Sequence, residues 1–424
     1  MTTYPSANDP FAALRYKDFS IVTINQFCLT LAILMQEVIV AYTLYKLTHD
    51  PLTLGFIGLA EAIPFIILSL WGGYVADRFN KQRIMQICLF FACPMPILLV
   101  LLFHYAGLGY LSHGMLALGV YAVIFMLGTI RGFYSPSVSS LKPFLVPRDL
   151  YTNAATWTTV GWQSGVVLGP MLGGFSLAYL GLENTLYVVC GLLLVCCVLV
   201  ALLDKRTFPS INHDSVWLSL KEGFDFIFKT KIVFWSISLD LVSVLFGGVI
   251  ALLPIYAEDV LKVGAEGLGL LRAAPSIGAL LMMVILAKYP PTRHAWRNML
   301  LAVAGFGVFT LIFAFSSVMW LSLIALALTG AFDSISVVIR QTILQIFPPE
   351  NLRGRVAAVN GMFVSSSNEL GAFESGLAAR YLTVIPATIL GGSITLLVAG
   401  LTFFKTRELL KVDVEHAKAV EVKD

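Results

Sequence analysis

The chain has 424 residues, of which 58% are hydrophobic and 12% charged, with a formal net charge of +3. Soluble domains carry about 25% charged residues, so the composition excludes an ordinary soluble protein. A charge this small, with its basic residues scattered through loops, excludes nucleic acid as a partner.

Long apolar runs occupy residues 19–45, 54–76, 84–104, 115–140, 153–180 and 184–203, and then 232–256, 268–287, 299–315, 319–346, 356–379 and 384–404. Each is near the ~20 residues that a helix needs to cross a bilayer. The expectation is an all-α integral membrane protein of twelve transmembrane helices, six plus six, with the lipid bilayer as its solvent. The predicted domains are a first six-helix bundle over 1–203, a cytoplasmic linker over 204–231, a second bundle over 232–404 and a tail over 405–424. Within the linker, Leu218, Leu220, Phe224 and Phe228 mark an amphipathic helix lying on the membrane surface. The start of the chain is polar and lacks a signal-peptide pattern, so the first helix is expected to be retained.

Basic residues fix the expected orientation. They concentrate in the tails, the linker and the even-to-odd loops, while the opposite loops hold only Lys46, Lys262 and Arg380. The positive-inside rule then puts both termini in the cytoplasm. Two internal offsets support a repeat. A shift of 214 carries Leu54-Gly55 onto Leu268-Gly269, and a shift of 202 carries Leu168-Gly169 and Gly174 onto Leu370-Gly371 and Gly376.

Between the second and third runs lies Gly72-Gly73-Tyr74-Val75-Ala76-Asp77-Arg78-Phe79-Asn80-Lys81-Gln82-Arg83, a charged turn short enough to make its helices antiparallel neighbours. This stretch resembles the loop between helices 2 and 3 of the major facilitator superfamily. Asn80 stands where the pattern has a second Gly, and Asn tolerates a left-handed turn. The resemblance gives Gly73, Asp77, Arg78, Lys81 and Arg83 a conformational role, with Asp77 and Arg78 steadying the outward-facing state. In the fifth run, Gly165, Gly169-Pro170 and Gly173-Gly174 resemble the antiporter motif of the superfamily's exporters. Leu127-x-x-x-Arg131 is similar to a proton-translocation motif, with Ser135 where that motif has Gly. Further stretches, 47–55 and 367–376, look like the branch that includes enterobactin exporters and macrolide or multidrug efflux proteins.

Ionisable groups inside hydrocarbon cost ~2.5–3.5 kcal/mol at the centre and normally face water or protein. The third, sixth, ninth and twelfth runs contain none, and the superfamily resemblance implies that these four are the lipid-facing ring. The others carry Glu37, Glu61, Arg131, Asp240, Arg272, Asp333, Arg340, Glu369 and Glu374. Glu37, Glu61, Asp333, Glu369 and Glu374 are the proton-coupling candidates. Asp333 and Glu369 come out about 20 Å along their helices, near the midplane. Arg131, Asp240, Arg272 and Arg340 are the charged cavity candidates, with Asp240 and Arg340 read as snorkelling groups or gate pairs near the cytoplasmic helix ends.

All six histidines fall in loops or tails, and the six cysteines (Cys28, Cys88, Cys93, Cys190, Cys196 and Cys197) lie in apolar runs with no metal-ligand spacing. No enzyme, metal or cofactor is expected. The expected function is a monomeric, proton-coupled secondary exporter of a small lipophilic or amphipathic compound, working by alternating access in a bacterial inner membrane. A siderophore exporter, an uptake symporter and a transporter-like receptor without net flux remain the alternatives.

Overall fold

The computed structural model describes residues 9–204 and 216–411. The expected linker residues 205–215 and tail residues 412–424 lie outside them. No strand occurs among the described residues. A backbone in hydrocarbon has no water to bond, and a helix satisfies its own N–H and C=O groups, which is why every long apolar run here is helical.

The transmembrane helices in chain order begin with α1 (Lys17–Thr48), α2 (Pro51–Arg78), α3 (Lys81–Gly107) and α4 (His113–Leu141). A continuous segment Tyr151–Ala201 follows, divided at Gly181, whose φ of 79° no helix tolerates. We treat it as α5 (151–180) and α6 (182–201). The amphipathic α7 (Val216–Lys229) lies between the two sets. Then come α8 (Lys231–Gly247), α9 (Gly264–Lys288), α10 (Ala295–Phe315), α11 (Met319–Ile346), α12 (Glu350–Leu382) and α13 (Val384–Lys405).

Among the described residues, ten helical segments are long and apolar enough to span a bilayer. Separating α5 from α6 and adding α12 gives the twelve expected from the sequence. At 33 residues α12 is long enough, but Arg353, Arg355, Asn360, Asn368, Glu369, Glu374 and Arg380 dilute its apolar character. Two spans are less regular than expected. In α3, Pro94 follows Cys93 and divides the helix into Lys81–Ala92 and Pro94–Gly107. The predicted run 232–256 breaks after Gly247 and continues through a 3-10 turn at Ile250–Leu252 and a short α-helical turn at Leu253–Ile255 into a π-helical turn at Tyr256–Val260.

The chain forms two compact units. The first takes residues up to Thr48 and from Ala60 to the linker; the second takes His49–Leu59 and everything after the linker. The opening turns of α2 are therefore grouped with the second unit.

Within the first unit, α5 lies along α1 through a face of glycines. A Cβ at Gly165 would sit 2.8 Å from Thr30 Cβ, one at Gly169 2.8 Å from Leu34 Cβ, and one at Gly173 3.0 Å from Met35 Cα. Glycine is needed here because the backbones approach too closely for a side chain. The tightest seam joins α2 to α4, where a Cβ on Gly128 would strike the carbonyl of Glu61 and one on Gly72 the carbonyl of Gly132.

The second unit repeats this seam between α9 and α11, where a Cβ on Gly330 would strike the carbonyl of Pro275. Gly330 and Pro275 are Gly128 and Glu61 displaced by 202 and 214, the two offsets found in the sequence. Likewise Gly371 and Ser375 on α12 take the places of Gly169 and Gly173. A Cβ on Gly371 would come 2.8 Å from Leu245 O, and the Ser375 hydroxyl donates to Gly248 O at 3.2 Å. The linker helix α7 also docks in this unit. Phe224 packs on Phe363 with ring centroids 5.7 Å apart, and Glu222 pairs with Arg355.

Candidate functional site

The charged residues singled out in the sequence are sorted by the structure into two constellations. In the first unit, Glu61 on α2 and Arg131 on α4 are held opposite each other by the Gly128 seam. Arg131 Nη1 donates to Glu61 Oε1 at 2.5 Å, and its guanidinium lies 4.7 Å from the centroid of the Phe65 ring. The Glu61 side chain is 20% exposed and that of Arg131 45%. Protonating Glu61, or presenting another anion to Arg131, replaces one partner without leaving a charge stranded in apolar surroundings. Glu37, on α1 of the same unit, is half-buried.

Beside this pair, the buried Asn25 on α1 donates to the Tyr134 hydroxyl on α4 at 2.5 Å, and Lys142 donates to Gln26 at 2.6 Å. The first ties α1 to α4 and the second ties α1 to the turn that follows α4.

In the second unit, Asp240 on α8 pairs with Arg340 on α11, and each side chain is only 4% exposed. Of the two expected arrangements, snorkelling or a pair, the structure has the pair. They face each other inside the unit, each supplying the opposite charge that lets the other be buried. Asp333 lies two helical turns before Arg340 on the same helix, half-buried. Among the described residues, Asp333 and Glu374 make no ion pair or hydrogen bond, in contrast to Glu61 and Asp240. Arg272 is half-buried on α9.

The opening turns of α2 are knit to α12 within this second unit. Asp50 pairs with Arg380 at 3.1 Å, Phe56 meets Phe373 at 5.6 Å between centroids, and a Cβ on Gly376 would touch the backbone of Gly55 at 3.0 Å. Glu369 belongs to this contact, since a Cβ on Gly58 would lie 3.3 Å from its Oε2.

The charged turn is as short as predicted, with only Phe79 and Asn80 between α2 and α3. Asn80 departs from expectation. Its φ of −65° and ψ of 112° are extended, and its side chain caps α3 by accepting from Arg83 N at 3.2 Å. A capping residue with a side-chain acceptor suits this position better than the glycine it replaces. Arg78 covers the Tyr74 ring at 4.4 Å and Lys81 is buried. Of the two glycines, Gly72 is the one pressed against α4, whereas a side chain at Gly73 would enter open space. The sequence reading missed Gly72, Phe65 and the Gly128–Gly132 pair. The small-x-x-x-small spacing of that pair was a signal of the same kind as the one recognised in α5.

The family model described as Major Facilitator Superfamily matches residues 22–372. The chain belongs to the major facilitator superfamily. As a member of the superfamily it is an integral membrane transporter. Among its relatives is the multidrug efflux pump Tap of Mycolicibacterium fortuitum, 27% identical over 390 residues, covering 83% of this chain and 89% of that protein. Another is the enterobactin exporter EntS of Salmonella typhimurium, 25% identical over 400 residues, with 90% and 92% covered. Solved superfamily structures share the fold at low identity. A POT family transporter in complex with a thioalcohol-conjugated peptide gives a TM-score of 0.73 at 10% identity, covering 93% of this chain and 96% of that one. A bacterial homologue of the human lysosomal transporter Spinster, in an inward-facing and unoccupied conformation, gives 0.69 at 16% identity, with 93% and 98% covered.

Proposed function

We propose that the chain is a proton-coupled exporter of a small lipophilic or amphipathic compound, seated in a bacterial inner membrane with both termini cytoplasmic. Export is supported by two exporter relatives that align with more than four fifths of the chain. Coupling rests on one observation: Asp333, a carboxylate near the middle of α11, has no ion-pair or hydrogen-bond partner among the described residues. An acidic side chain in the middle of a spanning helix, with no ion pair or hydrogen bond to hold it in one protonation state, is suited to carrying a proton. Glu374 shares this property and is the second coupling candidate. Glu61 is coupled instead to Arg131, and we assign that pair to substrate contact and conformational locking. Protonation of Asp333 on the outer side would follow substrate release, and deprotonation on the inner side would reset the cycle, as in alternating access.

The test is uptake into inside-out vesicles under an imposed pH gradient, with a panel of fluorescent lipophilic cations and, in parallel, a catecholate siderophore. Gradient-driven uptake of the cations that Asp333→Asn abolishes supports the proposal. A second reading, siderophore export, is favoured by the enterobactin exporter relative, and uptake of the siderophore alone would select it. Binding of either class without flux would select the receptor alternative.

A further inference from the structure

The cysteines, which the proposed transport cycle does not use, are brought together in the first unit. Cys93 stands at the break in α3, and its Sγ lies 3.4 Å from Sγ of Cys197 on α6. Cys190, one helical face away, donates to the Cys93 carbonyl at 3.6 Å, which holds the break against α6. Cys93 and Cys197 are half-buried free thiols, whereas Cys88 and Cys196 are buried. The surrounding side chains Phe90, Leu194 and Val198 are 54–71% exposed and apolar, so whatever reaches the thiols arrives through lipid.

Among the described residues no three His, Cys, Asp or Glu side chains are grouped to hold a metal ion. Ions that need three or four protein ligands are thereby disfavoured, leaving species satisfied by two soft sulfur donors. We propose that Cys93 and Cys197 form a two-thiol site for lipid-soluble trivalent arsenicals. In the reaction, an organic arsenic oxide R–As=O meets both thiols, two As–S bonds form and the As–O bond breaks. Both thiol protons leave on the oxygen as water, arsenic stays trivalent and no oxidant is consumed. Reactants and products are neutral, so the step places no charge in hydrocarbon, where charge is costly. The product ties α3 to α6 inside one unit.

The test treats the full-length chain in membranes with phenylarsine oxide, washes with mercaptoethanol, alkylates the remaining thiols with N-ethylmaleimide and locates them by peptide mass spectrometry. The expected result is that Cys93 and Cys197 alone are protected, that the protection resists the monothiol, and that 2,3-dimercaptopropanol removes it. Cys93→Ser and Cys197→Ser should each abolish the resistant adduct, while Cys190→Ser keeps it. Full alkylation of Cys93 and Cys197 in the native chain, or a resistant adduct surviving either of the first two substitutions, would overturn the assignment. So would loss of the adduct in Cys190→Ser. The native chain's own protection map decides the matter even where a variant fails to insert.

Discussion

The two units each hold an arginine–carboxylate pair between neighbouring helices, and the pairs differ in what surrounds them. Glu61–Arg131 in the first unit is 20% and 45% exposed, while Asp240–Arg340 in the second is 4% exposed on both sides. The same chemistry therefore does different work. A pair open to solvent contributes only about 0–1 kcal/mol to stability, and either partner is free to be exchanged. A sealed pair contributes little net energy when complete, yet it makes each partner indispensable to the other. Exposure, and not the identity of the residues, separates the two pairs.

The largest effect that sharpens this contrast is expected at the sealed pair. Arg340→Ala or Asp240→Ala strands a buried charge and should destabilise the chain by about 3–5 kcal/mol, as measured by thermal or denaturant unfolding in detergent. Replacing both together with apolar residues of similar volume should recover most of that loss. If either single variant unfolds like the native chain, the distinction between the two pairs fails.

The glycine seams come next, and they should behave alike in both units. Gly128→Leu and Gly330→Leu each drive a side chain into a backbone carbonyl of the facing helix. Overpacking of this kind costs about 1–3 kcal/mol or more, and similar losses at the two positions would show that the repeat extends to energetics. A loss at one position only would confine the repeat to the backbone.

Some of these features were legible in the sequence and others were not, for physical reasons. The spans were legible because a helix in hydrocarbon must be apolar over its whole length, and the loop because a two-residue turn leaves a compact charged signature. The glycine face of α5 was visible through its four-residue spacing. The α2–α4 seam was not, since which glycine meets which carbonyl depends on the register between two helices, and Gly72 and Gly73 look alike until α4 is in place. Arg131 had several carboxylates to choose from, and only packing at Gly128 selects Glu61. The Pro94 break and the irregular stretch after Gly247 escaped notice because composition alone does not reveal local geometry. For Asp240 and Arg340, position along the helix left snorkelling and pairing both open, and only the facing of α8 and α11 selects the pair.

A smaller effect on stability, and a larger one on function, is expected at the open pair. Glu61→Ala or Arg131→Ala should change unfolding by no more than about 1 kcal/mol while lowering gradient-driven transport. Arg131→Lys keeps the charge but loses the planar contact with Phe65, and it should fall between the native chain and Arg131→Ala in transport assays. Full transport in both alanine variants would remove the pair from the cycle. The smallest effect belongs to Gly73→Ala, which meets open space and replaces a residue of poor helix propensity. Unfolding should be unchanged or shifted upward by at most about 1 kcal/mol, and a clear loss would mean that Gly73 matters for a conformation other than this one.

The central claim is that substrate leaves in exchange for a proton carried by Asp333. Its most direct test is proton release in proteoliposomes loaded with a pH-sensitive dye, following the proton flux that substrate addition sets off in the native chain and in Asp333→Asn. The account predicts substrate-dependent proton movement in the native protein and its loss in Asp333→Asn, with substrate binding retained. Proton movement of native size in Asp333→Asn would contradict it.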